Sequence, residues 1–238
     1  MRILIGLATL TLCILGIAPL AVGSVIAKAP EFADTCAEAV SAAERQYRLP
    51  KRLLTAVSLT ESGHWHKERQ EMIAWPWTVY AEGRGRYLPS KAAAIEEVTA
   101  LRAKGVRNID VGCMQINLHY HPDAFEDLET AFDPESNTRY AAELLSSLQA
   151  ESRSWNVAIA HYHSRTKKYN VPYRQKVLSI WEKERRKDAS ARMANARKAH
   201  QLKREELAER IREASERRFS KENQARLNRS GNGSGQSS

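Results

Sequence analysis

Only residues 33–181 combine apolar periodicity with enough length to close a hydrophobic core. From Glu182 to Ser238 the chain carries 16 lysines and arginines against nine acidic residues. Its large apolar residues there, such as Leu202, Leu207, Ile211 and Phe219, are too sparse for a core. A segment dense in Ala, Glu, Lys and Arg reads as a long solvated helix. It holds +7 of the formal net charge of +9, which leaves the rest of the chain nearly neutral. We therefore expect a basic helical extension over 182–229 and a Gly/Ser-rich disordered tail over 230–238.

At the other end, Arg2 precedes an uncharged apolar run from Ile3 to Val22, followed by small residues up to Ala27. Residues 1–27 read as an export signal, with an N-terminal membrane anchor as the alternative. Cys13 lies inside the run without a lipidation context. Beyond it only Cys36 and Cys113 remain. In an oxidising compartment they allow one disulfide; otherwise they are two separate buried thiols.

The middle of the chain reads as mostly α. Thr35 and Glu38 have capping-box spacing ahead of a helix to Arg48. Pro50 suits the first position of a second helix, where Leu53, Leu54, Val57 and Thr60-Glu61 recur at helical spacing. Gly63 stops that helix two residues after Glu61. Trp75 to Tyr87 predicts a small β-hairpin that rims a cleft or packs in the core. Ser90 and Gly105 bracket a helix, and Val106 to Gln115 is extended. Asp133-Pro134 starts a helix to about Glu151. Further helices cover Ser154 to Tyr162 and Tyr173 to Trp181.

Glu61 is the residue that carries chemistry. The C-terminal end of a helix bears partial negative charge and favours a protonated acid. Apolar surroundings raise a carboxyl pKa further. A carboxyl that keeps its proton near neutrality can protonate a glycosidic oxygen.

Three motifs then fall in order. Glu61-Ser62-Gly63 resembles the Glu-Ser signature of the soluble lytic transglycosylases. Asp110 to Asn117, with Gly112, Cys113, Met114, Gln115 and Ile116, resembles their Gly-Leu-Met-Gln-Ile motif. Ala158 to Ser164, with His161, Tyr162 and His163, resembles their Ala-Tyr-Asn-Ala-Gly motif. The resemblance implies a lysozyme-like helical domain over 33–181 that acts on peptidoglycan glycan strands, as a monomer and without a cofactor. It implies cleavage between N-acetylmuramic acid and N-acetylglucosamine, with closure of the muramoyl C6 hydroxyl onto C1 to give a 1,6-anhydro end. One carboxylate then suffices, where ordinary glycosidases need two.

By the same resemblance Glu61 is the catalytic acid and base. Met114, Gln115, Asn117 and His163 line the cleft, with Gln115 near the N-acetyl or lactyl groups. Ser62 touches substrate or orients Glu61, and Tyr162 places its hydroxyl by Glu61. Cys113 replaces the motif's Leu, His163 its Asn and Arg165 its Gly. A Cys36–Cys113 bridge would tie the cleft floor to the first helix.

Other signals are weaker. Three His-x-His pairs, His64/His66, His119/His121 and His161/His163, suit polar cleft walls better than a metal, and no metal is expected. Asp110 reads as a supporting group near the site. The basic extension suits an anionic surface or an envelope protein; nucleic acid is not expected for an exported chain. The expected location is the periplasm, with membrane association possible through either end. The competing functions are a hydrolytic lysozyme and a non-catalytic peptidoglycan-binding adaptor.

Overall fold

A computed structural model describes residues 32–232, of which the side chains to residue 228 are placed. The expected signal at 1–27 lies outside the described residues. The fold is mostly α and lysozyme-like, with small antiparallel sheets. In chain order it comprises α1 (Thr35–Gln46), α2 (Leu53–Glu61), β1 (Gly63–His66), β2 (Glu71–Ala74), β3 (Thr78–Ala81) and β4 (Arg84–Tyr87). There follow α3 (Lys91–Ala103), β5 (Ile109–Val111), β6 (Ile116–Asn117), α4 (Leu128–Ala131), α5 (Pro134–Ser152), α6 (Trp155–His163) and α7 (Lys167–Asn232).

Where local capping chemistry is strong, the elements start as the sequence predicts. Ser90 accepts a hydrogen bond from the Ala93 amide at the start of α3. Asp133, followed by Pro134 in the first turn, caps α5, and Ser154 caps α6. Gly105 takes the left-handed conformation after α3 (φ 81°).

Two helix starts differ. Asp34, not Thr35, precedes α1, and it has helical rather than extended dihedrals, so no side-chain cap forms. Pro50 lies in a turn before α2, which begins only after Arg52 in a left-handed conformation (φ 67°). The capping is supplied from α1. The buried Glu44 carboxylate accepts from the Arg52 amide at 3.0 Å and from the Thr55 amide at 3.0 Å. A carboxylate at a helix N-terminus satisfies orphan N–H groups and favours the dipole.

One hairpin was expected and two are found. β3 and β4 pair around Glu82 and Gly83, as the sequence predicts. β1 and β2 form a second, separate hairpin directly after Glu61. A four-stranded sheet runs β4-β3-β5-β6. Within β3 and β5, Val79, Ala81, Ile109 and Val111 are buried, while Tyr80 and Asp110 alternate to the other face. The buried set packs with Val98 of α3 and with Phe132. A second apolar cluster joins α1, α2, α5, α6 and the start of α7, with Leu53, Leu54, Val57, Leu145 and Ile159 sealed from solvent.

Cys36 and Cys113 are bridged, which joins α1 to the loop between β5 and β6. Closing a loop of this length removes up to about 4 kcal/mol of unfolded-state entropy.

The C-terminal helix is where the structure departs most from expectation. A helix at Tyr173 to Trp181 and a separate extension from Glu182 are one helix, α7, which starts at Lys167 and carries Pro172 inside its second turn. Ser230 to Asn232, expected in the flexible tail, continue its backbone. α7 grips α2 at both ends. Near its start, Lys176 Nζ donates to the Thr60 carbonyl at 3.1 Å. Further along, Trp181 Nε1 donates to the Lys51 carbonyl at 2.8 Å. Asp188 then pairs with Lys51, Arg52 and Arg192 at 3.0, 3.2 and 3.0 Å. Contacts with the core therefore continue past Trp181. We predict that a chain ending at Asn195 melts within about 2 °C of the full chain. One ending at Trp181, which loses Asp188, should melt at least about 4 °C lower. Equal melting of both truncations in calorimetry would refute this role for Asp188.

Candidate active site

Glu61 is the last residue of α2, and the chain turns there at once into β1. Gly63 makes the turn possible: a Cβ at this position would lie 2.2 Å from the Leu59 carbonyl oxygen. Glu61 is half-buried at the edge of a cleft of about 910 Å³. Its carboxyl accepts a hydrogen bond from the Tyr173 hydroxyl at 2.5 Å. Desolvation, chiefly, pushes its pKa up to about 8. The Tyr173 hydrogen bond works against that shift, the Asp110 charge adds to it, and Lys176 opposes it weakly. An acid in this state holds its proton at neutral pH.

Beside Glu61 lies the loop from Gly112 to Gln115, held from three sides. Gly112 has φ 82°, and a Cβ there would lie 2.4 Å from Asn137 Nδ2. The buried Asn137 accepts from the Met114 amide at 2.9 Å and donates to the Val111 and Ala131 carbonyls. The Cys113 carbonyl accepts from Ser62 Oγ at 2.7 Å and from Ser58 Oγ at 3.2 Å. The Met114 carbonyl accepts from the Tyr162 hydroxyl at 2.9 Å.

These bonds redistribute the expected roles. Ser62 is sealed from solvent and binds the loop, so it reaches no substrate. Met114 is also sealed and belongs to the core; only its backbone serves the site. Tyr162 lines the cleft and lies close enough for the Glu61 charge to be felt, but its hydroxyl serves Met114. The group that holds Glu61 is Tyr173, which the sequence reading placed only at the start of a helix. Gln115, Asn117 and His163 line the cleft. Gln115 spends its amide N–H groups on the Thr78 and Gly112 carbonyls, 3.0 Å each. That leaves its carbonyl oxygen as the group free to receive a donor. His163 stacks on Tyr173, with ring centroids 4.5 Å apart and planes 8° from parallel. Burial lowers the His163 pKa, so its ring favours the neutral form.

Neither indole of the Trp75–Trp77 segment faces the cleft. Trp77 is core, and Trp75 packs edge-on against it and donates from Nε1 to the Leu88 carbonyl at 2.6 Å. The exposed aromatic rings at the cleft are tyrosines that the sequence reading missed: Tyr80, Tyr120 and Tyr169. Rings exposed along a polar cleft are suited to stacking on sugar faces. Asn108 and Asp110 complete the sheet wall, and Asn117 Nδ2 donates to both at 2.6 Å. Of the histidine pairs, His121, His161 and His163 line the cleft. Among the described residues no group of three or more His, Cys, Asp or Glu is arranged to hold a metal ion.

Comparison with known proteins identifies one family. Residues 38–176 match the family model described as the transglycosylase SLT domain. No curated protein and no solved structure gave a significant match.

The raised pKa of Glu61 links to stability. Folding favours the protonated acid, so the contribution is intact below about 4.5, the unperturbed value, and is lost as pH rises to about 8. We predict that Glu61→Gln, which cannot ionise, gains roughly 2–4 kcal/mol on the wild type between about pH 5 and pH 8. Urea unfolding at several pH values checks this. Parallel pH–stability curves would show that the carboxyl is not desolvated.

Proposed function

The chain belongs to the transglycosylase SLT domain family of peptidoglycan-acting, lysozyme-like proteins, and from that premise we propose that it is an exported lytic transglycosylase with Glu61 as its catalytic acid and base. The observation that carries the reading is a carboxyl kept protonated to about pH 8 in a cleft walled by tyrosines, amides and histidines.

In the proposed reaction Glu61 gives its proton to the oxygen between N-acetylmuramic acid and N-acetylglucosamine. The C1–O bond breaks and its electron pair leaves with the N-acetylglucosamine oxygen. The muramoyl C6 oxygen attacks C1, and its proton returns to Glu61. Water is not consumed, and the product carries a 1,6-anhydro ring. Tyr173 fixes the carboxyl that performs both transfers. Tyr162, through the Met114 carbonyl, fixes the loop that presents Gln115. Gln115, Asn117 and His163 are the proposed substrate contacts.

The Cys36–Cys113 bridge supports an oxidising compartment such as the periplasm. Among the described residues no helix is long and apolar enough to cross a membrane. Association with a membrane would therefore rest on residues 1–27 or on the surface of α7. The basic charge of α7 is concentrated. Residues 183–204 hold nine Lys/Arg against two acidic residues, whereas residues 205–228 hold six of each. Residues 189–204 include no acid at all, and Met193 and Leu202 are their only large apolar side chains. A helix without an apolar face does not insert into a bilayer. It is held by charge alone, at about 1 kcal/mol per basic residue near an anionic surface. We assign this stretch to an anionic envelope surface.

Two measurements test the reading. Digestion of purified sacculi should release anhydro-muropeptides detectable by mass spectrometry, and Glu61→Gln should lower the rate at least about 10³-fold. Reducing ends would mean a hydrolase, and equal clearing by Glu61→Gln would mean an adaptor. The wild-type rate should fall as pH rises through about 8 and Glu61 loses its proton. For the helix, co-sedimentation with vesicles rich in phosphatidylglycerol is expected at about 50 mM salt and should be lost near 0.5 M, since screening weakens exposed charges. A chain ending at Asn195 should bind at least about tenfold more weakly. No binding of the full chain at low salt would point to a protein partner.

A further inference from the structure

The sheet wall of the cleft holds a carboxylate to which the single-acid scheme gives no task. β3, β5 and β6 pair so that Tyr80 stands opposite Asp110, and Asp110 opposite Asn117. Residues directly opposite across neighbouring strands project from the same face. All three line the cleft together with Glu61. Asp110 Oδ1 accepts the Asn117 amide at 2.6 Å. Among the described residues Oδ2 has no hydrogen bond or ion pair, and it is not among the polar atoms sealed from solvent without a partner. It is therefore open to the cleft.

Among the described residues no cation neutralises this group. Arg165, the one basic residue in the cleft lining besides histidine, is held by both oxygens of Glu151 at 3.1 and 2.9 Å. Lys176 is bonded to the Thr60 carbonyl. A half-buried carboxylate without a cation costs free energy, and such groups concentrate where their charge is used. Burial raises the Asp110 pKa above the usual carboxylate value, and its one amide donor, Asn117, works against that rise. Glu61, which has no amide donor and whose pKa is pushed up to about 8, holds the proton. Two carboxyls in one cleft with different protonation states divide naturally into acid and anion.

We propose that Asp110 is the second functional carboxylate of this site, contacting the muramoyl residue from the sheet wall and stabilising the positive charge that develops at C1. The inference rests on the reading of Glu61 as proton donor. As Glu61 protonates the leaving oxygen and the C1–O bond breaks, C1 becomes electron-deficient. Asp110 opposes that charge without forming a bond and without gaining or losing a proton. The C6 oxygen then closes onto C1, and its proton passes to Glu61. The same charge adds to the desolvation that keeps Glu61 protonated in the resting site. An anion beside an acid disfavours a second anion, and Asp110 acts on Glu61 in this sense. The other groups facing Glu61 are Tyr173 and Lys176 from α7 and Tyr162 from α6. Those facing Asp110 are Asn117 from β6 and the same Tyr162.

The test uses the full chain on purified sacculi and soluble glycan strands, with wild type, Asp110→Asn, Asp110→Glu and Glu61→Gln. Asp110→Asn retains the shape and should keep a wild-type melting temperature. Its kcat should fall about 10²-fold with KM changed less than about threefold, as for loss of a group that acts in the transition state. The alkaline limb of its pH profile should move to lower pH, because Glu61 no longer faces an anion. Asp110→Glu, which retains the charge, should recover part of the rate. Unchanged kcat, or a loss confined to KM with the alkaline limb in place, overturns the proposal. Should Asp110→Asn melt far below wild type, Asp110→Glu decides: a folded Glu variant with no recovered rate also overturns it. An inactive wild type would sink the reading of Glu61, and this inference with it. An active wild type indifferent to Asp110→Asn sinks this inference alone.

Discussion

The hydrogen bond from Tyr173 to Glu61 is the contact on which the site depends, because it joins two helices that the chain places 112 residues apart. α2 is nine residues long, too short to hold its own direction by backbone bonds alone. Its start is capped by Glu44 from α1, and its end is met by Lys176 and Tyr173 from α7. Asp188 and Trp181 return from α7 to the residues just before it. The helix that presents the carboxyl is thus fixed by charge and hydrogen bonds at both ends, and by apolar packing between them. Desolvation of Glu61 follows from this clamp, since loosening α7 would admit water to the carboxyl and release its proton.

The loop from Gly112 to Gln115 is the second fixed point. Its backbone accepts from or donates to Ser58 of α2 and Ser62 just after it, Asn137 from α5 and Tyr162 from α6, while the disulfide ties it to α1. Four helices therefore converge on one loop of four residues. This explains why Ser62 and Met114 are not substrate contacts although they stand beside residues that line the cleft. Their side chains are spent on position, and the neighbours Glu61 and Gln115 face outward as a consequence. Gln115 itself has φ 48°, a left-handed conformation that a non-glycine residue holds only when the surroundings impose it.

How much of this was legible in the sequence depended on whether the signal was local. The end of α2 at Glu61 could be read because apolar spacing and Gly63 both mark it. The caps of α3, α5 and α6 could be read because Ser90, Asp133 and Ser154 act on amides three residues away. Glu44 could not, because it caps a helix from another element. The β1–β2 hairpin was hidden by its charged turn at Lys67 to Gln70 and by weak alternation, with His66, Ile73 and Ala74 its only buried residues. Tyr173 and the cleft tyrosines were missed for the same reason: nothing in their neighbours along the chain distinguishes them. Motif resemblance singled out Glu61, Gln115, Asn117 and His163, which line the cleft, together with Ser62 and Met114, which do not, because a motif does not separate a side chain that reaches the cleft from one that supports it.

Continuity of α7 has a mechanical consequence. The helix that completes the acid's environment is the same helix that bears the basic stretch from residue 183 to 204. Pro172 lies in its second turn, before the contacts with α2, so it removes a backbone bond only where packing against α6 and α2 supports the chain. Beyond Asp188 and Arg192 the helix leaves the core, and residues 193–228 are exposed all round. A flexible linker would decouple a binding stretch from the site. A helix does not, because its backbone bonds pass continuously from the exposed stretch into the clamp. A surface holding residues 189–204, as proposed above, would therefore set the direction from which the cleft meets a glycan strand.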